Sequence, residues 1–251
     1  MNLVLSLFPG IGLLDMAFEQ EGFCVVRGPD LLWGGDIKRF HPPAGKFEGV
    51  IGGPPCQAHS TLRYFVAHMH RKHPEKYHPS PDLIPEFERV IAESHPAWFV
   101  MENVPRAPMP SVPGYLIRDV LVRDVWVGGL TTRLRRFSFG TADGRKLSVE
   151  VVALQSTAEP LPAVLASGGH WVPIKIGGNG QVKRTHHNVR AGRLYGEKTT
   201  SYFRQSVVAQ GLPANFDIPP FTVAAKIHAI GNGVPLPMGL AIAKAVKRAI
   251  A

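Results

Sequence analysis

Short apolar runs recur along the amino-terminal half of the chain, each followed by turn-forming or polar residues. Four of them predict buried strands, because each is too short for a typical helix and is rich in aliphatic or aromatic residues: residues 2–8, 23–27, 47–51 and 97–101. The first run stops at Pro9-Gly10, and Gly and Pro are the residues that most often interrupt regular structure. The pattern therefore indicates a sheet of several buried strands.

Helical periodicity lies between these strands. Leu14, Ala17 and Phe18 fall at helical spacing, and Gly22 closes that helix. A second helix is predicted over residues 82–93, directly before the strand at 97–101. Alternation of strands and helices is typical of an α/β fold with a mostly parallel sheet and helices on its faces.

The composition and periodicity of the sequence change in its second half. From about residue 141 to 203, Gly, Pro, Ser and Thr are frequent and helical periodicity disappears, which indicates a smaller, irregular domain. An amphipathic helix with Pro near its start is predicted over residues 235–249. The predicted organisation is a main domain of residues 1–140 and 214–251 and a small domain of residues 141–213.

The charge of the chain is positive and unevenly distributed. The formal net charge is +9, and residues 175–204 contain seven bases and one acid, whereas residues 1–60 contain six acids and four bases. Such an excess favours a polyanionic partner, nucleic acid first. The alternative is a basic soluble protein without such a partner. We expect any anion-binding face to belong to the second half.

Cysteine usage and the chain ends indicate a soluble protein of a reducing compartment. The two cysteines, Cys24 and Cys56, form neither a disulfide framework nor a four-cysteine zinc site. The amino terminus lacks the pattern of a signal peptide, and no uncharged apolar run reaches membrane-spanning length. We expect a cytoplasmic protein without a membrane segment.

A glycine turn and two carboxylates suggest a nucleoside-binding edge of the sheet. The turn Phe8-Pro9-Gly10-Ile11-Gly12 joins the first strand to the first helix, where glycines let a ligand approach the backbone. Asp30 and Asp36 follow the second strand and precede the third, and carboxylates there can accept hydrogen bonds from ribose hydroxyls or an adenine amino group. Because Asp15 stands at the third glycine position of the phosphate-binding fingerprint, a cofactor without phosphates fits better. A plain structural turn is the alternative.

Two further segments carry residues for covalent chemistry on the same edge. Gly53-Pro54-Pro55-Cys56-Gln57 follows the third strand, and a cysteine at such an exposed turn can act as a nucleophile. Glu102-Asn103-Val104 ends the strand at 97–101, and a carboxyl group there can share a proton with a substrate nitrogen. Cys24, inside an apolar strand, is expected to be buried and inert.

These features in this order resemble the cytosine-5 DNA methyltransferases, and the match continues along the chain. Thr131 to Phe137 resembles the family's Gln-x-Arg-x-Arg segment, with Thr131 in place of Gln. Arg204-Gln205 followed by Gln210-Gly211-Leu212-Pro213 resembles its Arg-Glu and Gln-Gly-Phe-Pro segment, and Gly231-Asn232-Gly233-Val234-Pro235 resembles its Gly-Asn-x-Val-Pro segment. Six motifs in family order span residues 3 to 248.

The resemblance implies a Rossmann-like, S-adenosylmethionine-dependent methyltransferase fold with a small target-recognition domain. It implies that Cys56 attacks carbon 6 of a flipped cytosine while Glu102 assists at N3, so that carbon 5 takes the methyl group. The implied catalytic residues are Cys56, Glu102, Arg133 and Arg135. The implied cofactor-binding residues are Phe8, Gly10, Ile11, Gly12, Asp30, Asp36, Ile37, Pro54, Asn232 and Val234.

The sequence departs from the family pattern at several points. Ser6 stands where the family usually has Asp, and the stretch between Asp30 and Asp36 is too short for a helix that is usual there. Pro29 competes with Asp30 for the ribose-binding position, and Asp30 is favoured by its chemistry. Arg136 competes with Arg135 for the second arginine role.

The implied partner is double-stranded DNA, bound without an obligatory protein partner by a monomer. The histidine-rich segment 57–80 is interpreted as a mobile basic loop that closes over DNA, and a metal site there is not expected. Residues 141–203 lie where this family places target recognition. The predicted DNA-binding residues are Gln57, Ser60, Arg63, Gln181, Lys183, Arg184 and Arg204.

Three other functions remain open at this point. An RNA cytosine-5 methyltransferase would have the same motifs, and a catalytically silent DNA-binding homologue would keep the fold. A thiol hydrolase would need a histidine partner for Cys56, and the histidines show no motif for one. Neither the target sequence nor a pairing with a restriction enzyme follows from the chain.

Overall fold

A computed structural model describes residues 3–60, 62–76, 78–152, 160–161, 163–164 and 197–251 of the chain. The chain divides into two compact units. The first comprises Met1–Val122, Leu134–Glu150 and Gly239–Ala251, and the second comprises Arg123–Arg133 and Val151–Met238. The domain boundaries predicted near residues 140 and 213 differ from the boundaries of these two units and stay a prediction.

A six-stranded mixed sheet organises the first unit. Its strands are β1 (Leu3–Leu7), β2 (Cys24–Arg27), β3 (Gly49–Gly52), β4 (Trp98–Asn103), β5 (Leu116–Arg123) and β6 (Leu134–Thr141), in the order β2-β1-β3-β4-β6-β5. The strands β2, β1, β3 and β4 pair in parallel, and β6 pairs antiparallel with β4. All four strands predicted from apolar runs are confirmed to within two residues at either end, and β4 extends to Asn103.

Six α-helices accompany the sheet in the described residues. They are α1 (Leu13–Gln20), α2 (Leu62–Lys72), α3 (Ile84–Ser94), α4 (Glu197–Ala209), α5 (Val223–Asn232) and α6 (Leu236–Ile250). Short 3-10 segments cover Leu31–Trp33, Ile37–Arg39, Cys56–Ala58 and Asp124–Val127. The predicted helices after the first strand, at 82–93 and at 235–249 are confirmed as α1, α3 and α6.

Glycine and aromatic residues face one another across the central strands. Gly49 of β3 is the register partner of Trp98 in β4, and Gly140 of β6 is the partner of Phe99. A Cβ atom on Gly49 would lie 2.1 Å from the Trp98 ring, and one on Gly140 would lie 2.3 Å from the Phe99 ring. The absence of side chains at these two positions therefore makes room for fully buried rings.

The Gly49→Ala variant is expected to be less stable by about 1–3 kcal/mol, because overpacking forces a buried ring from its rotamer. Urea unfolding monitored by circular dichroism measures the change. The control is the same substitution in a Trp98→Leu background, where the smaller side chain leaves room for the new methyl group. An equal cost in both backgrounds would show that the Trp98 ring is not the cause.

Three expectations about local structure were wrong. Cys24 lies in a strand, as expected, but it is exposed, because β2 is at the edge of the sheet. The segment 57–80 was interpreted as a loop, yet it contains α2, which has no Gly or Pro and whose basic last turn suits a helix carboxyl end. The helix α4 begins at Glu197, inside the region without apparent helical periodicity.

The periodicity of α4 is present but uses polar residues. Phe203, Ser206 and Val207 of α4, and Gln210 directly after it, are all buried at the spacing i, i+3, i+4 and i+7. Two of these four positions are polar, so an apolar pattern alone does not reveal the buried face. The stretch Val223–Ile250 is long and apolar enough to cross a membrane by composition, but it is mostly buried, which is typical of core helices.

Candidate active site

The carboxyl ends of three neighbouring parallel strands carry the residues that the sequence singled out. The glycine turn follows β1, the Cys56 segment follows β3, and Glu102 and Asn103 end β4. In the register of β3 and β4, Gly52 is the partner of Met101. The next residues on the two strands, Gly53 and Glu102, therefore come together, and a crevice at this edge is where open α/β sheets bind ligands.

Cys56 is half-buried at the start of a 3-10 turn. Its carbonyl oxygen accepts hydrogen bonds from the amides of His59 and Ser60, at 2.9 and 2.8 Å. The Asn103 amide nitrogen donates to the Pro54 carbonyl oxygen at 3.2 Å, while the Asn103 oxygen accepts from the Val104 amide. The last residue of β4 therefore holds the chain two residues before Cys56.

Glu102 is nearly buried, with 9% of its surface exposed, and it faces Arg135 of β6. The Arg135 Nε lies 2.8 Å from the Glu102 Oε1. The other oxygen, Oε2, would be 3.0 Å from a Cβ atom on Gly53, so glycine at that position leaves space beside the carboxylate. The arrangement gives a carboxyl group of fixed orientation next to the Cys56 segment.

The three neighbouring arginines have different surroundings. Arg135 contacts Glu102, whereas Arg136 donates to the carbonyl oxygens of Ala107 and Pro105. Arg133 belongs to the second unit, where it is buried and donates to the carbonyl oxygens of Val164 and Gly231 at 3.0 and 2.9 Å. The geometry favours Arg135 over Arg136 as the partner of Glu102, while the catalytic assignment of Arg133 stays a prediction.

A buried carboxylate of the second unit holds Thr131, two residues before Arg133. Asp124 Oδ2 accepts hydrogen bonds from the Thr131 amide and hydroxyl at 2.9 and 2.7 Å. Thr131 is the residue that replaces the family's usual Gln. Burial raises the pKa of Asp124 above its ordinary value, with the Thr131 hydrogen bonds opposing that shift. A Cβ atom on Gly129 would lie 2.0 Å from the Asp124 Oδ1, so only glycine fits there.

The glycine turn is organised by Asp30. The Gly10 amide donates to the Asp30 Oδ2 at 2.8 Å, and the Leu32 amide donates to the Oδ1 at 2.8 Å. The indole nitrogen of Trp33 donates to the Gly10 carbonyl oxygen at 2.6 Å. The polypeptide after β2 thus fixes the turn after β1. The residues that do so lie in the short stretch that has no room for the helix usual in the family.

A carboxylate of α1 lies against Ser6, where the family usually has Asp. The Ser6 hydroxyl donates to the Asp15 Oδ1 at 2.5 Å, and the Arg27 Nε lies 3.0 Å from the Asp15 Oδ2. Asp15 is fully buried, and burial raises its pKa above the ordinary value, opposed by the Ser6 hydrogen bond and the Arg27 charge. The Arg27 guanidinium lies against Gly12, where a Cβ atom would be 2.5 Å from its Nη2.

The second acidic position is part of a rigid turn. Asp36 caps a 3-10 turn by accepting from the Lys38 amide at 3.0 Å, and Ile37 packs into the core between the sheet and α3. Arg89 of α3 donates to the carbonyl oxygens of Ile37 and Phe40, at 2.8 and 3.0 Å. The turn that presents Asp36 is thereby fixed to a core helix.

The other predicted site residues lie as follows. Phe8 and Ile11 are half-buried in the glycine turn, and Pro54 is buried before Cys56. In the second unit, Asn232 is exposed at the end of α5 and Val234 is buried. Among the predicted DNA-binding residues, Gln57 and Arg204 are exposed, Ser60 is half-buried, Arg63 lies in the first turn of α2, and Gln181, Lys183 and Arg184 lie outside the described residues.

Sequence reasoning missed the residues whose role depends on distant contacts. Trp33 and Arg89 contact the site from other elements, and no local motif marks them. Asp15 is marked only as a departure from the phosphate-binding fingerprint, which does not reveal its contact with Ser6. Gln210 was noted as part of a motif, but its partners were not foreseen: its side-chain nitrogen donates to the carbonyl oxygens of Ile230 and Gly233. Within the described residues, no cluster of His, Cys, Asp and Glu has the arrangement of a metal site.

Comparison with known sequences returns the family that the motifs resemble. The family model of C-5 cytosine-specific DNA methylases matches residues 34–109. Type II methyltransferase M.HgiDI of Herpetosiphon aurantiacus is 25% identical over 186 residues, covering 62% of this chain and 57% of that protein. Type II methyltransferase M.FnuDI of Fusobacterium nucleatum is 26% identical over 164 residues, covering 57% of this chain and 44% of that protein. The chain spans about half the length of these curated relatives.

Comparison with solved structures confirms the Rossmann-like fold class. A structure described as a DNA modification methyltransferase encoded within an E. coli prophage superimposes with a TM-score of 0.59 at 18% identity, covering 100% of this chain and 99% of that one. A DNMT2 mutant of Spodoptera frugiperda gives a TM-score of 0.59 at 14% identity, covering 100% of both chains. The predicted α/β fold class is therefore correct.

Proposed function

We propose that this chain, whose resemblance to the C-5 cytosine-specific DNA methylases is confirmed in sequence and in fold, is a DNA (cytosine-5-)-methyltransferase. Its substrate is a cytosine flipped out of double-stranded DNA, because a stacked base cannot reach a nucleophile at the edge of the sheet. The observation that carries the proposal is the convergence of Cys56, Glu102 and Arg135 on one strand edge.

The residues of this edge have separate tasks in the reaction. The Cys56 thiolate forms a bond to carbon 6 of the ring, and Glu102 places a proton at N3, so that the electron pair moves to carbon 5. Arg135 holds the Glu102 carboxyl group toward the substrate. When carbon 5 has been methylated, a base takes the carbon-5 proton, the N3 proton returns to Glu102, and the bond between sulfur and carbon 6 breaks, which regenerates the thiolate.

The cofactor proposed for this edge is S-adenosylmethionine, which supplies the methyl group when bound. Asp30 already accepts two amide hydrogen bonds, but a carboxylate has about four acceptor positions, which leaves room for ribose hydroxyls. The exposed Trp33 ring lies beside the same turn. The polar groups of this edge are carboxylates and backbone amides, and its glycine turn does not have the phosphate-binding fingerprint. This suits S-adenosylmethionine, which is a nucleoside without phosphates.

The Asp36→Ala variant is expected to bind S-adenosylmethionine more weakly by about 1–3 kcal/mol, the range for loss of a charged hydrogen bond. Isothermal titration calorimetry measures the change. Asp143→Ala is the matched control, since Asp143 is also an acid of the first unit but pairs with Arg145 far along the sequence. Unchanged affinity in Asp36→Ala would remove Asp36 from the cofactor pocket.

The partner and cellular setting are part of the same proposal. Double-stranded DNA is supported by the net charge of +9 and by the basic end of α2. We infer a monomeric cytoplasmic enzyme, with target choice in the small domain. The predicted contacts of Lys183 and Arg184 with phosphate fall outside the described residues, and their test is the salt dependence of duplex binding.

The experiment that tests the function is trapping with 5-fluorocytosine. The fluorine at carbon 5 cannot leave as a proton does, so the covalent adduct accumulates. We expect a duplex containing this base to form a stable adduct in the presence of S-adenosylmethionine, and peptide mapping to place it on Cys56. RNA with the same substitution forms the second arm: an adduct with RNA alone would establish an RNA methyltransferase, and no adduct with either would refute both activities.

A further inference from the structure

His59 lies three residues after the nucleophile and reaches a carboxylate at the start of another element. Its Nε2 is 3.1 Å from the Asp82 Oδ1, and its side chain is 12% exposed. The same Asp82 oxygen accepts the Ile84 amide at 3.0 Å, at the first residue of α3. The imidazole therefore joins the Cys56 turn to the amino-terminal end of a helix.

The helix to which His59 is joined is among the most firmly packed elements of the first unit. Phe87, Val90 and Ile91 of α3 are fully buried against the sheet. By contrast, the 3-10 turn at Cys56 is short, and its own stabilising contacts include the two amide bonds to the Cys56 carbonyl oxygen. One of these two amides belongs to His59, so the residue contacts the nucleophile's backbone and α3 at once.

His59 and Asp82 also close a loop in the chain. They flank the segment of residues 60–81, which contains α2 and its basic last turn of His70, Arg71 and Lys72. The pair therefore stands at the base of that segment, next to Cys56. Any displacement of the segment when it meets a large substrate is transmitted to the Cys56 turn unless the base is held.

We propose that His59 is a positioning residue for the Cys56 nucleophile, acting through its contact with Asp82 at the start of α3; this rests on the proposed methyltransferase function. The pair holds the turn so that the Cys56 sulfur lies within reach of carbon 6. A displacement of about 1 Å in a reacting group can cost about 10²-fold in rate, which is the scale expected when the contact is lost. His59 itself takes no part in bond making or breaking.

The test measures the rate of adduct formation with 5-fluorocytosine duplex under single-turnover conditions. His59→Ala is expected to lower this rate by about 10²-fold, with unchanged affinities for duplex and S-adenosylmethionine. His59→Gln keeps a polar side-chain group within reach of Asp82 and is expected to recover most of the rate. Asp82→Asn keeps an oxygen for the Ile84 amide and the imidazole and is expected to be mild, whereas Asp82→Ala is expected to resemble His59→Ala.

The chain offers a matched control on the same helix. His41 Nδ1 lies 3.1 Å from the Glu93 Oε2 of α3, so it makes a similar contact without touching the Cys56 segment. His41→Ala is expected to keep the wild-type rate. Hydrogen exchange of the His59 and Ser60 amides should be faster in His59→Ala and Asp82→Ala, and not in His41→Ala.

Two results would overturn the inference. One is wild-type adduct formation by His59→Ala. The other is an equal loss in His59→Ala and His41→Ala that follows their melting temperatures, which would indicate general destabilisation. Should His59→Ala not fold, Asp82→Ala is compared with Asp82→Asn by the same rate, and equal rates in these two variants would overturn the inference. Failure of the wild-type protein to form any adduct would instead refute the proposed function.

Discussion

The Cys56→Ser variant is expected to lose methyl transfer on the order of 10³-fold or more, the scale on which removal of a covalent nucleophile acts. A serine hydroxyl is far less ionised than a thiol at neutral pH, so it is a much weaker nucleophile at the same position. Its size is close to that of cysteine, so the half-buried turn at Cys56 and the Asn103 contact with Pro54 should remain. Transfer of radiolabelled methyl groups to duplex DNA measures the loss.

The same variant separates chemistry from binding. Calorimetry should give wild-type affinity for S-adenosylmethionine, and gel shift should give wild-type affinity for the duplex. Cys24→Ser is the matched control, since Cys24 is an exposed cysteine on the edge strand β2. Substantial methylation by Cys56→Ser, or an equal loss in Cys24→Ser, would exclude Cys56 as the nucleophile.

The position of Cys56 and Glu102 at one edge was predictable from the sequence. Each follows or ends a short apolar run, and strand and helix alternation predicts parallel pairing of those runs. Parallel strands bring their carboxyl ends to the same edge, so the two residues had to meet if the strands were neighbours. The register of Gly52 with Met101 supplies the remaining detail, which no apolar pattern contains.

The contacts that hold the site were not predictable in this way. Asp15, Trp33 and Arg89 each act on a segment that is distant in sequence or belongs to another element. Residue type alone does not predict which contacts these side chains make. The contacts follow from the way the helices and turns pack on the sheet. The same holds for the choice between Arg135 and Arg136, because adjacent residues of a strand point to opposite faces.

The exposed Cys24 and the buried Gln210 illustrate a second reason. Apolar runs predict strands, but they do not tell an edge strand from a central one, and the burial of Cys24 depends on that difference. Gln210 is fully buried because two backbone carbonyl oxygens near the carboxyl end of α5 receive its amide protons. Burial of a polar residue depends on such partners, which are supplied by the fold.

Restoring the family's usual aspartate at position 6 is expected to be harmful, although it brings the chain closer to the family pattern. Ser6→Asp would place a second carboxyl group against Asp15, whose Oδ1 lies 2.5 Å from the Ser6 oxygen. Two like charges that are both buried cannot be accommodated, and we expect the free energy of unfolding to fall by about 3–5 kcal/mol, the scale of an uncompensated buried charge.

The pH dependence of this loss has a definite sign. Burial already raises the pKa of Asp15 in the folded protein, so its ionisation opposes folding as the pH rises through that value. A second carboxyl group raises the folded pKa of the pair further. The stability difference between Ser6→Asp and the wild type should therefore grow as the pH rises above the ordinary carboxyl pKa and be large at neutral pH, as measured by urea unfolding.

The double variant Ser6→Asp/Asp15→Ser decides whether the carboxyl group has been exchanged between β1 and α1. It keeps one carboxylate and one hydroxyl at the same place, and Ser6 is the register partner of Arg27, so the carboxylate stays near the guanidinium that now pairs with Asp15. We expect stability and S-adenosylmethionine affinity to return most of the way to the wild type. The reason is that Arg27, which lies against Gly12 of the glycine turn, again pairs with a single carboxylate. A double variant as unstable as Ser6→Asp alone would show that the clash lies elsewhere, and that Asp15 does not replace the missing aspartate.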